Sequence, residues 1–180
     1  ASTATGAISF SVDEGADIAG ATTHVSLVID VADSGLATND GEHPVTLVMG
    51  ATDNVVLGRY DSDGVGGLDS TAFTISIAED GKLTVTQFVA LEHPDDTDPD
   101  DAVDLTDKLS AQLTVTDGDQ DVVSDTVAIG DQIVFKDDGP EIVSLTADVG
   151  TVTRDETDQL GVASTATGAI SFSVDEGADI

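Results

Sequence analysis

The chain has 180 residues, of which 36 are Asp or Glu and 5 are Lys or Arg, for a formal net charge of −31. That charge argues against nucleic acid or an anionic membrane surface as a partner, because both recruit proteins by exchanging small cations for Lys and Arg. A hydrophobic fraction of 39% supports a folded core, the lack of cysteine excludes disulfides and thiolate metal sites, and no apolar run approaches the roughly 20 residues of a membrane span.

The chain opens on ASTATGAISFSVDEGADI, residues 1–18, and the same eighteen residues return letter for letter as 163–180. The offset, 163 − 1 = 162 residues, is the period of a tandem array. It lies far above the roughly 20 to 50 residues of solenoid and propeller repeats, so the expected picture is beads on a string. Inside the repeated segment Ile8, Phe10 and Val12 alternate with Ser9 and Ser11, the period-two pattern of a strand with one dry face. Val25, Leu27, Ile29 and Val31 continue that pattern, as do Phe73, Ile75 and Ile77. Further strands are predicted at 45–49, 54–57, 83–88, 109–116, 122–129, 132–135, 142–147 and 150–153, between turn clusters of Gly, Asp, Asn and Pro. Residues 104–113 are the one stretch compatible with a helical turn. Many short strands at close spacing predict an all-β fold, an antiparallel Ig-like β-sandwich with Greek-key connections.

The acids gather at the turns. Residues 116–121 read TDGDQD, which places Asp117, Asp119 and Asp121 at alternate positions between two apolar runs. Three carboxylates in one turn repel one another unless a cation joins them, and calcium accepts six to eight oxygens in loose geometry. An EF-hand does not fit, since Val122 and Ala128 stand where Gly and a bidentate Glu belong. The alternative is a plain solvated Asp/Gly turn.

A second cluster, KDDGP at 136–140, follows an apolar strand and carries Asp137 and Asp138 before a Pro that ends ladder pairing. Such a pair could share calcium with a neighbouring domain. Its complement would be Asp155 and Glu156, or Asp13 and Glu14 with their copies Asp175 and Glu176. Polar turns without an ion are the plainer reading of each. The loop with Asp61, Asp63, Gly64 and Asp69 is preferred as a plain hairpin loop, with incidental calcium binding as the alternative, and the acidic run at 95–104 as a solvated loop.

The succession LTVTDGDQD, then VAIGDQIVFKDDGP, then an acidic DET resembles the long tandem repeats of giant type-I-secreted RTX adhesins, and FTISIAEDGKLTVTQFVALEHP is similar to the middle of those repeats. The resemblance implies an extracellular, calcium-stabilised, Ig-like extender domain. Many copies would hold a distal ligand-binding region away from the outer membrane, for attachment and biofilm formation. It implies calcium at Asp117, Asp119 and Asp121, and a linker site at Asp137 and Asp138 with Glu156. Its partners would be neighbouring repeats and calcium ions, at the cell surface. The pattern departs from the family at Gln120, where glycine is commoner.

An enzyme is not expected. His24 falls on the polar face of a strand, His43 and His93 each precede a Pro, and no hydrolase, zincin or P-loop motif is present. The rival function is a calcium-dependent glycan- or protein-binding module. The expected organisation is a sandwich over 1–139, then a linker and the opening strands of the next repeat over 140–180, with a single domain over 1–162 as the alternative.

Overall fold

A computed structural model of the chain describes residues 1–13, 19–38, 43–95, 98, 100–137, 141–147 and 170–175. They fall into two compact units, Ala1–Asp137 and Asp138–Ile180.

In the first unit the apolar alternation generates β1 (Ser2–Ala7), β2 (Thr22–Ile29), β3 (Asp33–Ala37), β4 (Pro44–Met49), β5 (Val55–Tyr60), β6 (Ser70–Ile77) and β7 (Lys82–Gln87). There follow β8 (Ala102–Asp104), β9 (Leu109–Thr116), β10 (Val122–Ala128), a 3-10 turn at Gly130–Gln132, and β11 (Val134–Lys136). A six-stranded sheet has the order β1-β7-β6-β5-β4-β3, a three-stranded sheet the order β10-β9-β2, and β11 pairs with β8. Neighbouring strands run antiparallel throughout. Between the two larger sheets the chain crosses from β1 to β2, back from β2 to β3, and again between β7 and β9. The second unit contains β12 (Glu141–Ala147) paired with β13 (Ile170–Asp175), also antiparallel.

The two larger sheets of the first unit make an antiparallel β-sandwich. β2 lies across β4, β5 and β6. Val25 and Leu27 of β2, Val45 and Leu47 of β4, Val56 of β5, and Phe73, Ile75 and Ile77 of β6 are all buried in one cluster. Each such large side chain taken fully out of water contributes roughly 1.5–3 kcal/mol. Phe135 of β11 closes the cluster, its ring 4.8 Å from that of Phe73 and tilted by 40°.

Gly58 is required by this packing. It stands opposite Phe73 in the β5–β6 ladder, next to a bulge, and the Phe73 ring occupies the space a side chain would need. A Cβ on Gly58 would lie 2.5 Å from Cζ of Phe73.

Several elements differ from the sequence expectation. β1 and β3, rich in Gly, Ala, Ser and Thr, form because a neighbouring strand edge supplies hydrogen bonds that apolar alternation does not announce. Residues 104–113 carry no helix: Asp104 ends β8, Lys108 N–H closes a turn on the carbonyl of Leu105, and β9 starts at Leu109. Residues 8–13 are not a strand in the first copy, whereas the identical residues 170–175 are β13 in the second. The predicted strand at 150–153 lies outside the described residues.

Gly58→Ala is expected to destabilise the first unit by about 1–3 kcal/mol, the usual cost of overpacking. Combining it with Phe73→Leu should recover part of the loss, because the clash and not the glycine backbone is at fault. Chemical denaturation of the two variants measures this.

Candidate metal centres

Hairpins concentrate acids where strands reverse. Among the described residues two groups of three acids can each bring one carboxylate oxygen per residue within 4.8 Å of the others: Asp117, Asp119 and Asp121, and Asp61, Asp63 and Asp69. In each group the first Asp is half-buried and the other two are exposed.

The first group sits on the turn between β9 and β10. Asp117 N–H donates to the carbonyl of Asp121 at 3.0 Å, and Asp121 N–H donates back to Oδ1 of Asp117 at 2.8 Å. These two bonds close the loop and turn its carboxylates toward one another. Gln120 takes φ 78°, the left-handed region that glycine enters without steric cost.

The loop is electrostatically strained. The Asp117 carboxyl is held below its ordinary range by its hydrogen bond with Asp119 and by the N–H groups of Asp121, Asp119 and Gln120, against partial desolvation. Asp119 is pushed above that range by the same hydrogen bond and by the charge on Asp117. The two titrate as a pair, the second proton leaving reluctantly because the first has left a charge beside it. A cation at their focus removes that penalty.

The second group lies on the loop between β5 and β6. Asp61 accepts from Gly64 N–H at 2.9 Å through Oδ1 and from Gly66 N–H at 2.8 Å through Oδ2. Asp69 accepts from the N–H and hydroxyl of Ser62, at 2.9 and 3.1 Å. Desolvation pushes Asp61 up, but Gly66 N–H, the Asp63 side chain and the N–H groups of Gly64 and Asp63 outweigh it, so the net shift is downward. Asp69 is lowered chiefly by Ser62 N–H. Both are ionised at neutral pH, and each oxygen retains a lone pair beyond the one its N–H uses. Spacing alone favours a plain hairpin loop here. The signal was present in the D-x-D spacing, but Asp69 joins only because Ser62 draws it back across the loop.

The other acids singled out from sequence are placed differently. Asp137 N–H donates to the carbonyl of Asp101 at 2.9 Å, at the end of β11. Asp13 is exposed at the end of the segment that follows β1. Neither joins a group of three acids among the described residues. Glu14, Asp138, Asp155 and Glu156 lie outside the described residues.

A third acidic constellation holds a histidine. His24 of β2 reaches Oδ2 of Asp53 through Nε2 and Oε1 of Glu79 through Nδ1, both at 2.9 Å. The second oxygen of Glu79 accepts from Val25 N–H at 2.9 Å, and Leu27 N–H donates to the carbonyl of Asp53 at 2.8 Å. The β4–β5 and β6–β7 turns of one sheet are thereby tied to β2 of the other. Asp53 first, then Glu79, raises the His24 pKa above its ordinary 6.5. Nothing in the local sequence forecasts this, since the three residues are brought together only when the sheets pack.

These features define an acidic, all-β sandwich, two of whose loops can each offer a cation three carboxylates, and no described helix is long and apolar enough to cross a membrane. The family model described as "Domain of unknown function (DUF5801)" matches residues 1–130, and the chain belongs to that family. No curated protein and no solved structure matches the chain.

The His24 tie should make stability depend on pH in a defined window. Because the folded pKa is raised, the contribution is fully present below about pH 6.5 and is lost as pH rises through the higher folded value. Since 47% of the His24 side chain is exposed, solvent screening limits the effect to no more than about 1 kcal/mol. Between pH 6 and pH 8.5 the native chain should lose more stability than His24→Gln, and parallel melting curves will show it.

Proposed function

We propose that this chain is a repeating spacer module of a large bacterial surface adhesin, stiffened by calcium and without catalytic activity. The observation that carries the reading is the pair of three-carboxylate loops on a chain of net charge −31 that repeats itself at 162 residues. Carboxylate and carbonyl oxygens in flexible loops suit a hard cation of variable coordination, which favours calcium over the rigid octahedral demand of magnesium. A long period whose first eighteen residues return unchanged suits a part needed for length. Resemblance to RTX adhesin extenders adds the expectation of an extracellular site, with attachment and biofilm formation as the purpose of the parent.

An ion that binds only the folded form stabilises it by RT ln(1 + [L]/Kd), about 2.7 kcal/mol at a hundredfold excess over Kd. Calcium at about 1–10 mM, against the 10⁻⁴ to 10⁻³ M affinities of extracellular modules, should therefore raise the melting temperature by several degrees over EGTA at equal ionic strength. Asp117→Asn with Asp119→Asn should abolish one binding event in calorimetry and lower stability in calcium. In EGTA the same pair should be neutral or stabilising, because it removes the repulsion that raises the Asp119 pKa. Equal melts with and without calcium would remove the basis of the reading.

The spacer role has its own measurement. A protein of four periods should scatter X-rays as an extended particle in calcium and as a shorter, broader distribution in EGTA, with its domains still folded. Inter-domain interfaces of ordinary size permit such motion by default. Glycan or protein capture by the isolated chain, with no change in shape, would favour the binding-module alternative.

A further inference from the structure

The same six residues, ISFSVD, adopt two states in one chain. At 170–175 they are β13, paired with β12 in the register Leu145 to Phe172, Thr146 to Ser171 and Ala147 to Ile170. At 8–13 they follow β1 with no strand assignment. Ile8 N–H donates to the carbonyl of Gly81 at 2.9 Å, just outside the first residue of β7, and residues 9–13 continue without a strand. The sequence is identical, so the difference lies in what stands beside it. The residues that would occupy the β12 position for the first copy belong to the preceding period.

The sandwich beside residues 8–13 is correspondingly open. In the β9–β10 ladder Val123 stands opposite Val115, and Val127 opposite Ala111. Directly opposed residues point to the same face, and Val115 and Ala111 are buried core residues, so Val123 and Val127 point toward the core side as well. Nevertheless they are 66% and 51% exposed, and Phe10 is 40% exposed. Ile8, Phe10, Leu113 and Val127 line one groove of about 150 Å³. Asp125, between the two valines, keeps its carboxylate on the N–H of Thr126. β12 shows the matching deficit: Ile142, Val143 and Leu145 are 67%, 60% and 67% exposed, on a two-stranded ribbon of a kind that is marginal in water by itself.

We infer that in the tandem array Glu141–Ala147 of each period is the first strand of the following domain, pairing with the next copy of residues 8–13 and covering the open core-side face of β10. The β12–β13 register carries over residue by residue: Leu145 of the preceding period stands beside Phe10, Thr146 beside Ser9 and Ala147 beside Ile8. Leu145, on the face of Phe10, then extends the apolar cover toward Val127. The occupant is thus a segment of this same chain one period earlier, and consecutive domains are joined by a shared β-ribbon as well as by the peptide linker. This inference does not rest on calcium binding.

The 180-residue chain lengthened by a further copy of residues 138–162 ahead of Ala1 recreates the junction, since Ala163 follows Val162 in the natural sequence. Its first domain is expected to melt at least about 4 °C above that of the 180-residue chain. Leu145→Asp in the added copy should return it to the shorter chain's value, with the domain still folded. Cysteines at Ser9 and at the added copy's Thr146 should oxidise to an intramolecular disulfide in the monomer. Moving the second cysteine to the added Leu145 should abolish it, because a one-residue shift turns the side chain to the other face. An unchanged melting temperature, a gain that survives Leu145→Asp, or a disulfide that forms only between molecules would each overturn the proposal.

Discussion

Mutual repulsion among carboxylates is the constraint around which this fold is arranged. With 36 acids and 5 Lys or Arg, ion pairing cannot neutralise the chain, and Arg59 is spent on the backbone carbonyls of Ser70 and Leu68. The acids turn instead to backbone N–H groups. Asp33 accepts from Gly35, Asp80 from Lys82, Asp104 from Thr106 and Asp117 from Asp121. Asp side chains that bond their own backbone a few residues on favour turns, so the requirement that solvates the charge also sets where the strands reverse. The sandwich is held by its apolar interior, and the negative charge is displaced to loops where solvent or cations can reach it.

Where this arrangement is incomplete, the loops become chemically interesting. Asp104 is eased by the hydroxyl and N–H of Thr106, which lower its pKa. At Asp119 the N–H groups of Asp121 and of its own residue are outweighed: Asp117 lies against it and raises its pKa. A turn that cannot quench its own charge is a preorganised place for a hard cation, and that is the physical content of the calcium proposal. The His24 tie solves the same problem differently, by placing a titratable cation between Asp53 and Glu79 where the two sheets meet.

The repeat adds a second principle, that strand formation is a property of pairs. Residues 8–13 and 170–175 have identical propensities and identical alternation, yet the second copy pairs with β12 and the first has no assigned strand. A strand's backbone groups need an adjacent edge, and its apolar face needs a facing layer. When the edge belongs to another period, the domain in the structural sense need not coincide with the segment that repeats in the sequence.

Much of this protein was legible in its residues. Alternation at Val25 to Ile29 and at Phe73 to Ile77 identified the core strands, because a buried sheet face imposes period two. The TDGDQD spacing marked Asp117, Asp119 and Asp121, because a tight turn leaves alternate side chains nowhere to separate. Tertiary structure decided the rest. β1 and β3 carry no strong apolar signal and exist because an edge was waiting for them. Asp69 reached Asp61 and Asp63 through Ser62. His24, Asp53 and Glu79, at separations of 29 and 55 residues, met only when two sheets closed on one another. Local spacing encodes contacts within a strand or a turn. Contacts between layers depend on how the strands are ordered and stacked, which no single stretch of this chain specifies.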